Sequence, residues 1–308
     1  MSPVFLHYDQ AALDAQYDNR KKVPAFDDYL VRWRAESAAV RERLGARAQL
    51  NVPVGKSPIE RLDIFPADPG TAPAAGAPIL VFIHGGYWMM LTKEEFSYVA
   101  NGFAPHGVTT VVIDYALIPS VRMDELVRQC RQAVAWVLEN ARSFGGDPER
   151  VSVSGHSAGG HLTAMVAATD WSVTGATGWA RNWRAERAPR AGVAISGLHD
   201  LEPISLCYLQ QQLHLTHDEV GRCSPILCAA PVAGRWTALV GGLEGPEYLR
   251  QSAELVSRWQ SAGGRQLSLQ VAKDHDHFSI ASALGDPADS LTRMIVDEVR
   301  MPLTTLAA

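Results

Sequence analysis

The chain has 308 residues, 47% of them hydrophobic, and its 28 Lys and Arg against 33 Asp and Glu leave a formal net charge of −5. This balance excludes the disordered, collagen-like and disulfide-scaffold classes. It also offers no basic excess for nucleic acid or an anionic membrane surface. Cys130, Cys207, Cys223 and Cys228 form no C-x-x-C pair, and the C-x4-C pair at 223 and 228 lacks a second half. They read as free thiols, not as a framework or a zinc site. The opening Met1–Asp9 has neither a basic nor an apolar signal region, and no run of about 18 apolar residues occurs. The expectation is a cytoplasmic protein folded as one unit over residues 1–308.

In chain order, residues 27–45 set Leu30, Trp33, Val40 and Leu44 at near-helical spacing and predict an amphipathic helix. Pro53 and Pro58 break that pattern, and Ile59 to Phe65 alternates as a half-buried edge strand would. Pro66 to Pro78 reads as a surface turn. Continuous apolar runs then recur at 79–83, 108–113, 151–153, 191–195, 237–240 and 267–271, with helical patterns at 94–104, 123–142, 158–169, 247–262 and 287–300. Short runs apolar on both sides suit strands buried on both faces. The alternation predicts an α/β fold with a mostly parallel central sheet and helices on both faces. Residues 1–45 and 198–231 stand outside the rhythm. Ligands in such folds sit beyond the carboxyl ends of the strands, so both stretches are expected near the active-site entrance, the second as a small cap or lid.

Gly155-His156-Ser157-Ala158-Gly159 carries the strongest chemical signal. It lies between a strand and a helix, the setting in which G-x-S-x-G exposes a nucleophilic serine on a sharp turn. His84-Gly85-Gly86-Tyr87-Trp88 follows the strand at 79–83. Backbone N–H groups of Gly85 and Gly86, with that of Ala158, would form an oxyanion hole. Tyr87, Trp88 and His156 are candidates for the substrate-pocket wall, and His84 reads as structural. A serine needs a base and a group that orients it. Glu244, just past the strand at 236–241 among glycines, is the expected acid, with Asp200 and Glu247 as rivals. Lys273-Asp274-His275-Asp276-His277 offers His275 or His277 as the base, and nearness to the next helix favours His277. The same Asp/His run has no second ligand group, so no metal or other cofactor is expected. His214 and His217 read as surface or lid residues.

With these motifs in place, residues from about 59 to 300 resemble the α/β-hydrolase superfamily. His84–Trp88 with Gly155–Leu162 is similar to the serine-dependent arylformamidase (kynurenine formamidase) group and its bacterial esterase relatives. Gly241–Glu244 leading to Arg250-Gln251-Ser252 looks like that group's acid loop, and His277-Phe278 like its histidine segment. The opening Tyr8, Leu13 and Tyr17-Asp18-Asn19-Arg20 is similar to its N-terminal segment, which borders the entrance. The resemblance implies Ser157 as nucleophile, Glu244 as acid, His277 as base and Gly85, Gly86 and Ala158 as oxyanion donors. Tyr87 stands where the hormone-sensitive-lipase branch has a third glycine, which disfavours that branch. The implied activity is hydrolysis of a small aromatic amide such as N-formylkynurenine. Alternatives are a carboxylesterase for short-acyl aryl esters and a non-catalytic small-molecule binder on the same fold. A homodimer is allowed but nothing in the sequence specifies it.

Overall fold

The computed structural model describes residues 2–171 and 188–301. The expected single unit over 1–308 also runs through residues outside that set. Eight strands form one sheet: β1 (Gln49–Pro53), β2 (Arg61–Phe65), β3 (Ala77–Ile83), β4 (Thr109–Ile113), β5 (Gly146–His156), β6 (Ala191–Ile195), β7 (Arg235–Gly241) and β8 (Leu267–Ala272). Their order is β1-β2-β4-β3-β5-β6-β7-β8. Neighbours from β4 to β8 run parallel, and β2 runs antiparallel to both β1 and β4.

Alternation along β3 explains why helices cover both faces. Ile79, Val81 and Ile83 pack into one cluster with the helix Met123–Asn140. Leu80 and Phe82 point the other way, into a second cluster with the helices Phe26–Leu44 and Ser290–Arg300. Successive strand side chains face opposite sides, so a strand apolar at every position must be sandwiched. Burying one such side chain stabilises the fold by roughly 1.5–3 kcal/mol before conformational entropy is counted.

Two expectations need correction at the sheet edges. The strand at 59–65 is not an edge, because β1 pairs along its outer side and Leu62 to Phe65 are buried. Its polar Asp63 misled the alternation. That carboxylate is fully buried and answered by Arg41, by Lys93 Nζ at 3.3 Å and by the Asn51 N–H at 2.7 Å. β1 itself, largely exposed and ending in Pro53, carries no apolar pattern to announce it. At the other edge β8 is not covered on both faces, and Leu269 and Val271 are exposed. Among the described residues no helix is long and apolar enough to cross a membrane. The carboxyl ends of β3, β5, β6, β7 and β8 lead directly into His84, Ser157, Ser196, the 242–244 loop and the 273–277 loop, which gather at one end of the sheet.

Candidate active site

Ser157 stands between β5 and the helix Ala158–Ala167 with φ +59° and ψ −118°. A non-glycine residue there costs on the order of 1–3 kcal/mol and persists only where its surroundings hold it. Its N–H donates to the Ile195 carbonyl at 2.9 Å, and its carbonyl accepts from the His161 N–H at 3.0 Å. The turn is also squeezed. A Cβ on Gly159 would collide with the Ile83 carbonyl, and one on Gly155 with the Gly159 carbonyl. The two glycines therefore let the helix start directly against β3 while the serine side chain projects from the turn.

Ser157 Oγ lies 3.0 Å from His277 Nε2, and His277 Nδ1 lies 2.6 Å from Glu244 Oε2. The other carboxylate oxygen, Oε1, accepts the Gly241 N–H at 2.6 Å and the Ser196 hydroxyl. All three side chains are buried. Lys22 Nζ, from the N-terminal segment, donates to the Glu244 carbonyl at 3.0 Å and backs the acid loop.

The rivals lie elsewhere. Asp200 and Glu247 both pair with Arg250, at 2.8 and 2.9 Å. His275 accepts the Leu243 N–H through its carbonyl and lines a separate surface hollow with Tyr29 and Asp289. Asp276 turns back to accept the N–H groups of Phe278 and Ser279 at 2.8 and 2.9 Å. The Asp/His run is thus divided among separate tasks, and among the described residues no three His, Cys, Asp or Glu side chains are grouped as metal ligands would be.

Gly85 and Gly86 leave β3 and line the same cavity as Ser157. A Cβ on Gly85 would stand 2.8 Å from the His156 carbonyl and 3.2 Å from Ser157 Cβ, so the glycine lets this loop lie against the serine. His84 secures the loop from beneath. Its Nδ1–H donates to the Gly85 carbonyl at 2.7 Å, its ring stacks on Tyr115 at 4.3 Å, and the Tyr115 hydroxyl donates to the His84 carbonyl at 3.0 Å. Ala158 opens the following helix, where the first N–H groups have no intrahelical partner.

The three wall candidates separate. His156 is buried and lines the cavity, with its ring 4.6 Å from that of His277. Burial, and secondly the nearby His277, hold its pKa well below the usual value, so it is neutral. Tyr87 lines the cavity as well. Trp88 does not, which corrects the expectation that it contacts substrate. It is fully buried, and its Nε1–H donates to His161 Nδ1 at 3.1 Å. The next ring nitrogen, His161 Nε2, donates to the Cys223 carbonyl at 2.7 Å. Trp88 thus ties the glycine loop, the helix after Ser157 and the 198–231 segment together.

The cavity measures about 290 Å³. Phe26, Trp33, Phe96 and Phe278 give it aromatic walls, with Met89, Met90 and Leu91 beside them. Asn19 and Arg20 enter from the N-terminal segment, and Tyr208, Leu209 and Gln212 from the 198–231 segment. Ser196 carries no motif in the sequence, and Asn19 stands there only within the run Tyr17–Arg20. Asn19 Nδ2 donates to the hydroxyls of Tyr248 at 2.8 Å and Tyr87 at 3.0 Å, and the Tyr87 hydroxyl donates to the Tyr17 carbonyl at 2.6 Å. This links the N-terminal segment to the glycine loop and to the helix beyond Glu244. Tyr248 also sets its ring 4.9 Å from that of His277. A small polar residue at the end of β6 is the one sequence signal that marks Ser196, and the Tyr17-Asp18-Asn19-Arg20 resemblance the one that marks Asn19.

Burial holds His161 down at about 4 and His199 at about 3. Unfolded, both would titrate near 6.5. As pH falls from about 6.5 to 4, the unfolded chain takes up protons that the folded chain refuses, so stability drops over that window and is retained above it. Denaturant titrations at pH 7, 6 and 5 are expected to show a falling unfolding free energy, with a shallower fall in His161→Gln. A flat profile in both proteins contradicts the burial argument.

Known proteins align with this arrangement. The BD-FAE family model matches residues 62–213. The kynurenine formamidase of Salmo salar is 30% identical over 256 residues, 82% of each chain, and that of Danio rerio 29% identical over 266 residues, 85% of each. A crystal structure from a Silicibacter species, described as a candidate thioesterase, superposes with a TM-score of 0.78 at 31% identity, over 92% of this chain and 98% of that one. Esterases recur among other relatives and solved structures.

Proposed function

The chain belongs to the α/β-hydrolase family of the kynurenine formamidases and their esterase relatives and hydrolyses amide or ester bonds; we propose that it does so through Ser157, His277 and Glu244, on N-formyl aromatic amines of the N-formylkynurenine type. The observation that carries this reading is the unbroken line from Ser157 Oγ through His277 to Glu244, opening on a cavity with aromatic walls.

In this mechanism His277 Nε2 takes the Ser157 proton as Oγ attacks the formyl carbonyl. That requires the other proton on Nδ1, donated to Glu244 Oε2. The negative oxygen of the tetrahedral intermediate takes N–H bonds from Gly85, Gly86 and Ala158, each donor stabilising it by about 3–4 kcal/mol. The imidazolium then protonates the departing arylamine nitrogen as the C–N bond breaks, leaving a formyl ester on Ser157. Water, deprotonated by His277, releases formate and restores the serine. The formyl group is the smallest acyl group, so the aromatic walls serve the leaving group.

The test is kcat/KM for N-formylkynurenine beside p-nitrophenyl acetate, with Ser157→Ala as blank. A value of about 10⁴ M⁻¹ s⁻¹ or more on the formamide is expected. Turnover of the activated ester alone would instead assign a carboxylesterase for short-acyl aryl esters, the reading favoured by the esterases among the relatives.

A further inference from the structure

Among the described residues, Arg20 is the only Lys or Arg lining the cavity that holds Ser157. Its guanidinium lies 4.5 Å over the Phe26 ring, itself part of the wall. Its one hydrogen bond among the described residues is to Met90 Sδ at 3.6 Å, a weak acceptor. Among the described residues no carboxylate lies within ion-pair reach of it. This sets it apart from Arg41, Arg122, Arg128 and Arg250, each paired with Asp or Glu.

The neighbouring charges are already satisfied. Asp18, the other formally charged residue on the cavity lining, pairs with Lys21 at 2.8 Å. Lys22 is spent on the backbone carbonyls of Gln16 and Glu244. The cavity therefore carries one uncompensated cation, steadied by stacking on an aromatic ring. Arg20 is exposed, at the solvent side of the cavity, and its fork of donors matches a carboxylate.

We propose that Arg20 binds a carboxylate on the leaving-group side of the substrate, so that this enzyme selects aryl formamides that carry a carboxylate over those that lack one. The proposal rests on the serine-hydrolase reading above and adds a specificity determinant to it. Aromatic walls alone would accept any aryl group; a lone guanidinium among them distinguishes charge.

The experiment compares N-formylkynurenine with its carboxamide, which replaces the carboxylate by an uncharged group of similar size. The wild type is expected to favour the carboxylate about tenfold or more in kcat/KM, chiefly through KM. In Arg20→Met the ratio should fall to about one, and Arg20→Lys should retain part of it. Because a ratio is read, any general loss of folded enzyme cancels. A ratio near one in the wild type, or an undiminished ratio in Arg20→Met, overturns the proposal. The same ratio is measured on 4-acetoxybenzoate against 4-acetoxybenzamide, so that it survives a failure of the formamide reading. If the esters turn over and the formamides do not, the ester ratio decides on Arg20 alone. Failure to turn over any of the four removes the hydrolase reading and this proposal with it.

Discussion

Ser157→Ala is expected to lower kcat on p-nitrophenyl acetate by about 10⁶-fold. Among the described residues no other nucleophile is aligned with His277, whose Nε2 lies 3.0 Å from Ser157 Oγ. Alanine at this position keeps the φ +59° backbone with a side chain of nearly the same bulk, so the turn and the fold should survive. Nucleophile and base act as a unit, so adding His277→Ala should cost almost nothing more. Active-site-titrated turnover, beside labelling by a fluorophosphonate, measures both claims. Equal labelling of wild type and Ser157→Ala would move the nucleophile to another residue.

Glu244→Gln should lower kcat by about 10⁴-fold with little change in thermal stability. The two oxygens of Glu244 face different partners. The Oε1 position receives the Gly241 N–H, which can only donate, and the Ser196 hydroxyl. A glutamine is therefore forced to put its carbonyl there and its NH₂ toward His277 Nδ1. The imidazole must then accept at Nδ1 and carry its proton on Nε2, facing Ser157, where it cannot act as a base. Reduced but substantial activity in Glu244→Asp, which keeps the charge on a shorter arm, would accord with this account. Near-normal turnover in Glu244→Gln would give the acid role to another carboxylate.

How much of this was legible beforehand follows from the range of each signal. The strands β3, β4, β6 and β7 announce themselves because burial on both faces makes them largely apolar, while β5 shows only the short Val151–Val153 run before its glycine turn. The serine turn is equally local, since its glycines answer contacts made within the turn and with the adjoining β3. β1 was invisible because its only reason to be a strand is its pairing with β2, and Gln49, Asn51 and Pro53 carry no trace of that. Trp88 shows a different limit. The composition of a glycine loop does not say which of two adjacent aromatics faces the cavity; His161, 73 residues further on, decides it. Among the acids, Arg250 takes up Glu247 one helical turn away and Asp200 fifty residues away, and only the folded chain shows the second pairing.

The Asn19 bridge has a consequence for how the protein comes into being. Its two tyrosine partners lie 68 and 229 residues away. On a ribosome adding about 5–20 residues per second, Asn19 emerges on the order of ten seconds or more before Tyr248 can meet it. Through that interval Tyr17 and Asn19 have Tyr87 to close against but not the helix that carries Tyr248, although the serine turn has already been made. The opening residues thus belong to the last step of assembly. A nascent chain stopped short of Tyr248 would hold the nucleophile without a finished pocket, which delays reactivity until almost the whole polypeptide has been made.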